Sequence, residues 1–177
     1  MKIEKKWAMP SRKTFSIKPI KELIIDEIAV DNDKVVLDPF ANSMDIAQHL
    51  EFNRYISNDI DSQYPTNYHL DATEFFEVFP DNSVDWVLYD PPYSPRQVSE
   101  VYKKLGLTVN MQTTQSSYWT KQKKQIGRIL KVGGKCITFG WNSGGIGKKF
   151  GMHQVRILLV AHGGWHNDTI CTVEVKI

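Results

Sequence analysis

Asp90-Pro91-Pro92-Tyr93 is the set of residues best equipped for chemistry, because of what precedes it: Val84-Asp85-Trp86-Val87-Leu88-Tyr89. A near-continuous apolar run, bounded by polar residues and then by two prolines, reads as a strand buried on both faces. Proline cannot donate to a sheet ladder, so the strand stops at Asp90. An acid, a stiff diproline and an aromatic ring are thereby placed at the carboxyl end of a buried strand, where open α/β sheets bind ligands. Three more carboxylates follow strand-like runs in the same way: Asp38 in Asp38-Pro39-Phe40-Ala41-Asn42-Ser43, Asp59 in Asn58-Asp59-Ile60-Asp61, and Asp71 in Leu70-Asp71-Ala72. Each alone is more often a helix cap or a turn residue. Their recurrence at strand ends is what gives them weight.

The elements that must position these residues alternate along the chain. Apolar residues at helical spacing (Ile20, Leu23, Ile24, Ile28) predict a helix from Pro19 to about residue 30. Lys34–Leu37 predicts a short buried strand, and Ser43–Glu51 a helix. Arg54–Ser57 and Tyr68–Leu70 predict two more strands. Asp71 opens a short helix containing Phe75 and Phe76, and Val84–Tyr89 is the fourth strand. Ser94–Leu105 and Ser117–Leu130 predict helices, with Gly133-Gly134 ending the second. Lys135–Phe139, Val155–Ala161 and Ile170–Lys176 are the last strands, the final pair joined by a hairpin-like His162–Asp168. This pattern predicts a three-layer α/β fold: a seven-stranded, mostly parallel sheet with one antiparallel strand. The organisation expected is one domain over residues 1–177, with a sheet core over 34–177 and an N-terminal segment and helix over 1–30 that cover the ligand bound at the strand ends.

Composition narrows the class. The 177 residues suffice for one sizeable core. No apolar stretch approaches the length of a membrane span, and Met1–Lys6 lacks the apolar centre of a signal peptide. Cys136 and Cys171 are too few for a metal cage and sit in apolar runs, as reduced thiols of a cytoplasmic protein would. The net charge of +2 conceals an asymmetry: residues 1–20 carry +5, residues 21–90 carry −13 and residues 91–177 carry +10. The basic remainder, including Lys121, Lys123 and Lys124, either faces a phosphate backbone or forms ordinary solvated helix faces.

Asp90-Pro91-Pro92-Tyr93 resembles the catalytic motif of S-adenosylmethionine-dependent amino-methyltransferases, which methylate the exocyclic amine of adenine, or less often cytosine, in nucleic acid. An exocyclic amine is a poor nucleophile with two N–H donors. It needs acceptors at fixed distance, here the Asp90 side chain and the Pro91 carbonyl, with Pro92 stiffening the turn and the Tyr93 ring offering a stacking face. Asp38–Ser43 resembles the Asp-Pro-Phe-x-Gly-Ser-Gly cofactor loop of that family, and Phe15-Ser16-Ile17-Lys18-Pro19-Ile20 the segment that closes over the methionine end of the cofactor. The resemblance covers about residues 15–140. It implies the class I, Rossmann-like methyltransferase sheet, S-adenosylmethionine as cofactor and no metal. It also implies cofactor contacts from Phe15, Lys18, Asp38, Pro39, Phe40 and Asn42, from Asp59 at the ribose (with Asp61 as competitor), and from Asp71 at the adenine amine. Asn42 and Met44 stand where the family has glycines. Asparagine tolerates left-handed backbone and methionine does not, so the loop is expected to depart from the usual conformation.

Other motifs carry less. Gly140–Lys149 looks like a phosphate loop but lacks the required glycine spacing and Ser/Thr; as the connection between the fifth and sixth strands it is expected to wall the base pocket. His162, His166 and Asp168 read as a polar hairpin tip rather than metal ligands. No added target-recognition domain fits, the only long uncertain stretch being Leu105–Ser117. Either the chain methylates with little sequence preference, or a specificity partner or a second copy in a homodimer supplies it. Adenine in DNA is the leading substrate expectation, with RNA or a protein amide, or an accessory role without strong catalysis, as alternatives.

Overall fold

The computed structural model describes residues 1–28, 32–51, 53–108 and 116–177. Seven strands form one sheet: β1 (Lys2–Trp7), β2 (Val35–Asp38), β3 (Arg54–Ser57), β4 (Val84–Tyr89), β5 (Leu130–Gly140), β6 (Met152–Ala161) and β7 (Thr169–Lys176). Their spatial order is β1-β6-β7-β5-β4-β2-β3. Strand β7 runs antiparallel to both neighbours, β5 and β6, and every other pairing is parallel. Among the described residues, four α-helices accompany the sheet: α1 (Lys18–Ile28), α2 (Ala72–Glu77), α3 (Pro95–Lys104) and α4 (Ser116–Ile129).

The apolar run at residues 84–89 is buried on both faces because alternate side chains enter different layers. Trp86 and Leu88 join Ile20, Leu23 and Ile24 of α1 in one cluster. Val87 and Tyr89 join Phe75 and Phe76 of α2 and Ile126 and Ile129 of α4 in the other. Strand β2 divides likewise, Val36 toward α1 and Leu37 toward α2 and α4. These are the three layers that the alternation predicts.

The count of seven strands is reached differently from the expectation. Tyr68–Leu70 is reduced to a single bridge from Tyr68 to Asn58. The seventh strand is instead β1, parallel to β6 at the opposite edge. Its sequence, KIEKKW, has no apolar alternation because the strand is mostly exposed, and its lysines suit an edge that must not recruit another strand. Residues 2–7 therefore belong to the sheet edge, not to a cofactor cover. The helix expected at Ser43–Glu51 is only a 3-10 turn at Ala47–His49. Met44 lies at φ +52°, and the Asp45 carboxylate accepts from the Ser43 hydroxyl at 2.7 Å and from Lys13 at 3.1 Å. Such local side-chain bonds compete with helix initiation. Strand β5 begins at Leu130, directly after α4, so the Gly133-Gly134 pair falls inside an irregular strand start rather than capping a helix. Within the uncertain 105–117 stretch, residues 109–115 lie outside the described residues, as do 29–31 at the expected end of the first helix.

Candidate active site

The chain leaves β2 toward β3 on one side and reaches β4 on the other. That reversal opens a crevice at the carboxyl ends of these strands, the place where α/β sheets bind ligands. Asp38, Asp59 and Asp90 arrive there because each ends or directly follows one of these strands.

A cavity of about 480 Å³ occupies the crevice. Pro39, Phe40, Asn42, Asp59, Asp61, Asp71, Asp90, Pro91, Pro92 and Tyr93 all line it. Most of the sequence candidates therefore lie on this lining, although more than half of the lining comes from other residues. A second cavity of about 550 Å³ lies against α4 and the segment after β5, walled by Tyr89, Tyr93, Trp119, Phe139 and Trp141 together with Lys123. Pro91, Pro92 and Tyr93 belong to both cavities and form the wall between them.

That wall is held from several directions. The Tyr93 hydroxyl donates to Asp90 Oδ1, its backbone N–H donates to Gln97 at 2.6 Å, and its ring meets Trp141 edge-on at 5.4 Å. Trp119 Nε1 donates to the Pro92 carbonyl at 3.0 Å. Burial raises the pKa of Asp90, opposed by hydrogen bonds from Tyr93 and Thr14. Asp90 is thus a more basic acceptor than an exposed carboxylate, facing the carboxylate-lined cavity.

The cofactor-loop candidates separate into lining and support. Asp38 is fully buried, accepts from the Tyr55 hydroxyl at 2.6 Å and from the Phe40 N–H at 3.3 Å, and is absent from the cavity lining. Desolvation, with smaller repulsion from Asp90 and Asp59, pushes its pKa up to about 7 despite the Tyr55 and Phe40 hydrogen bonds. It braces the loop from behind. Asp59 binds backbone on both oxygens, the Asp61 N–H at 2.9 Å and the Asn42 N–H at 3.0 Å, and its pKa is raised chiefly by desolvation. Asp61 accepts from Gln63 N–H at 3.0 Å and faces Lys104 at 3.7 Å. Asp71 caps α2 through the Thr73 N–H at 2.8 Å and accepts from the Tyr102 hydroxyl. Lining and capping are here the same residue.

The expectation about Asn42 and Met44 is corrected. Both adopt positive φ, +49° and +52°, so the loop takes left-handed backbone at both positions without glycine. A left-handed non-glycine residue costs about 1–2 kcal/mol. The Met44 N–H donates to the Ala41 carbonyl at 2.7 Å, and Ser57 Oγ donates to Met44 Sδ at 3.2 Å; these contacts, with the Asp59–Asn42 bond, hold the conformation.

Neither Phe15 nor Lys18 lines the large cavity, although Phe15 borders a small one of about 40 Å³ with Arg12, Thr14, Phe40, Asn42 and Asp90. Phe15 packs in the core against Phe139, ring centroids 4.9 Å apart. Lys18 is exposed on α1, 4.0 Å from Glu22, and does not line the large cavity. Ser11, Arg12 and Thr14, just upstream, line it instead; nothing in the sequence separates Arg12 from Lys13 and Lys18, the cations beside and within the resembling segment. Tyr102, Lys104 and Trp119 were also missed, because they come from helices that only the tertiary fold brings to the crevice, whereas Trp141 belongs to the Gly140–Lys149 segment expected to wall the base pocket and lines the second cavity. Among the other sequence candidates, His162 spends both ring nitrogens on Ala8 and Thr169. Among the described residues no helix is long and apolar enough to cross a membrane.

No protein-family model and no curated protein matches the chain. Solved structures do. Over 91% of its length the chain is similar to TrmN from Thermus thermophilus, with 16% identity and a TM-score of 0.63, and it spans 49% of that longer chain. It is similar over 90% of its length to the 1,6-didemethyltoxoflavin-N1-methyltransferase of Burkholderia thailandensis, solved with 1,6-didemethyltoxoflavin and S-adenosylhomocysteine (12% identity, 77% of that chain, TM-score 0.62). An rRNA methylase from Streptococcus thermophilus matches over 96% of this chain and 99% of its own (13% identity, TM-score 0.53). At such identities the likeness speaks to architecture, and with the sheet order and the crevice it shows that the chain has the class I, Rossmann-like methyltransferase fold.

Proposed function

We propose that this chain transfers a methyl group from S-adenosylmethionine to the exocyclic amine of adenine in DNA. The observation that carries the reading is the Pro91–Tyr93 wall, with a carboxylate-lined cavity on one side and an aromatic-lined cavity on the other.

The first cavity fits the cofactor. Its volume lies in the range of small-molecule sites. Asp59 and Asp61 offer carboxylate oxygens for ribose hydroxyls, Asp71 an acceptor for an adenine amine, and Arg12 a cation for a carboxylate. The acid-rich wall suits a ligand bearing sulfonium and ammonium charges. When bound, the cofactor supplies an electrophilic methyl group. On the other side, Tyr93, Trp119 and Trp141 offer ring faces to an extruded base. Where the base meets the dividing wall, Asp90, which faces the cofactor cavity, and the carbonyl of Pro91, which lines both, accept the two N–H bonds of the amine and aim its nitrogen toward the cofactor. Asp90, its basicity raised by burial, receives the proton released as the nitrogen takes the methyl group.

Phosphate contacts come from exposed cations, and the three α4 lysines divide in this respect. Lys121 and Lys124 are exposed, whereas Lys123 Nζ donates to the Gly145 carbonyl at 2.5 Å and belongs to the pocket wall. The likeness to an rRNA methylase favours RNA as the second reading.

The test is incubation of the protein with unmethylated duplex DNA, or RNA of equivalent sequence, and methyl-labelled S-adenosylmethionine, followed by nucleoside analysis. Label in deoxyadenosine, abolished in Asp90→Ala, is expected. Label confined to RNA selects the second reading, and absence of cofactor binding by calorimetry removes both.

A further inference from the structure

The glycine-rich segment after β5 has the look of an anion-binding loop, and it does hold an oxyanion, one supplied by this chain. Gly145 and Gly147 have φ of +55° and +99°, and successive amides in such turns form an anion-binding concavity. Glu174, from β7, projects into it with no exposed surface. Its carboxylate accepts from the Ile146 N–H at 2.5 Å and the Gly147 N–H at 3.0 Å. A Cβ at Gly145 would overlap that carboxylate. From α4, Lys123 donates to the Gly145 carbonyl, and the Ile146 side chain is buried in the core beside Ile126 and Cys136. The turn is thus tied to a strand, a helix and the core at once. The same segment begins with Trp141 and Asn142, which wall the aromatic cavity, and Trp141 packs edge-on against Tyr93 of the dividing wall.

A carboxylate buried on a central strand needs a reason, since burial opposes its charged form. Desolvation does raise the pKa of Glu174, and the two amides and Lys123 pull it back. An apolar residue there would leave two amides of the turn without acceptors.

We propose that Glu174 is a positioning residue for the nucleobase: by filling the Gly145–Gly147 amide concavity it fixes the segment that sets Trp141 against Tyr93. The inference rests on reading the aromatic cavity as the base pocket. It goes beyond that reading in assigning the pocket's shape to a residue that lines neither cavity.

Glu174→Gln, nearly isosteric, keeps one acceptor but turns its amide group toward the other N–H; Glu174→Ala removes both acceptors. Hydrogen exchange at Ile146 and Gly147 should accelerate by about tenfold or more in Glu174→Ala and by less in Glu174→Gln, as expected for hydrogen bonds to a charged group. Amides of β5 and β6 should stay protected. KM for duplex DNA should rise by roughly the same factor, with S-adenosylmethionine affinity unchanged and kcat at saturating DNA little altered. Gly145→Ala should raise KM too, and combining it with Glu174→Ala should give less than the sum of the two effects, because both disturb one contact. Unchanged exchange at Ile146 and Gly147, or equal losses of DNA and cofactor affinity, would overturn the proposal. A wild type that methylates no adenine overturns only the functional reading; the exchange measurement needs no turnover and still decides whether Glu174 holds the wall.

Discussion

The two cavities on either side of Pro91–Tyr93 are built by different means. The carboxylate-lined one is assembled from strand ends, and its acids are already engaged with the backbone: Asp59 with Asn42 and Asp61, Asp71 with Thr73. The aromatic one is assembled from α4 and the segment after β5, and its walls are pinned by Lys123, itself part of the lining, and from behind by Glu174. The first is therefore shaped chiefly by bonds from its lining acids to nearby backbone, the second by one side chain of its own lining and one behind it. A polar, charged ligand needs fixed acceptors, and strand ends supply them. A flat ring needs opposed faces, which no single element can offer, so helix and loop must be brought together and clamped.

Substitutions can break this division. The largest effect is expected at the wall itself: Asp90→Ala should lower kcat by about 100-fold or more, the scale of a lost proton acceptor, while leaving cofactor binding nearly intact. Equal loss of cofactor affinity would mean the wall is not a boundary. A crossed pair sharpens the comparison. Asp59→Ala should weaken S-adenosylmethionine binding by about tenfold or more, as for hydrogen bonds to a charged group, with nucleic-acid affinity unchanged. Trp141→Ala should do the reverse, weakening nucleic-acid binding by the roughly 1–3 kcal/mol of a base–aromatic stack. Titration calorimetry on both variants with both ligands checks the crossing.

On the carboxylate side a pH effect is expected from Asp38. Asp38 has its pKa pushed from 3.8 to about 7 in the folded chain. Between those values the folded state keeps a proton that the unfolded state has lost, so stability falls as pH rises through this window and levels off above it. Asp38→Asn should flatten the fall in melting temperature between pH 5 and pH 8; an unchanged slope would place the titration elsewhere. The smallest effect is expected at Met44. Met44→Gly should relieve the left-handed strain of about 1–2 kcal/mol, less the greater freedom that glycine gains on unfolding, for a net rise in stability below about 1 kcal/mol. A drop would show that the Ser57–Met44 contact matters more than the strain.

Residues 84–93 show what the sequence by itself determined. An apolar run stopped by two prolines can only be a buried strand ending in an acid, and strands alternating with helices can only bring such ends to one edge of a parallel sheet. The three layers, the antiparallel β7, and the gathering of Asp59, Asp61, Asp71 and Asp90 in one crevice follow from those local rules. Met44 marks where they stop: propensity forbids its left-handed backbone, and contacts with Ala41 and Ser57 impose it. Strand β1 carried no signal because an exposed edge needs no apolar alternation. Phe15 was drawn into the core, and Arg12 and Thr14 took the lining. Glu174 meets the Ile146 amide across 28 residues of chain, and Trp141 meets Tyr93 across 48. No periodicity records such a meeting. Local pattern decides which residues reach the edge of the sheet, while the partition of that edge into two cavities depends on the packing of α4 and the segment after β5 over it, which only the folded chain determines.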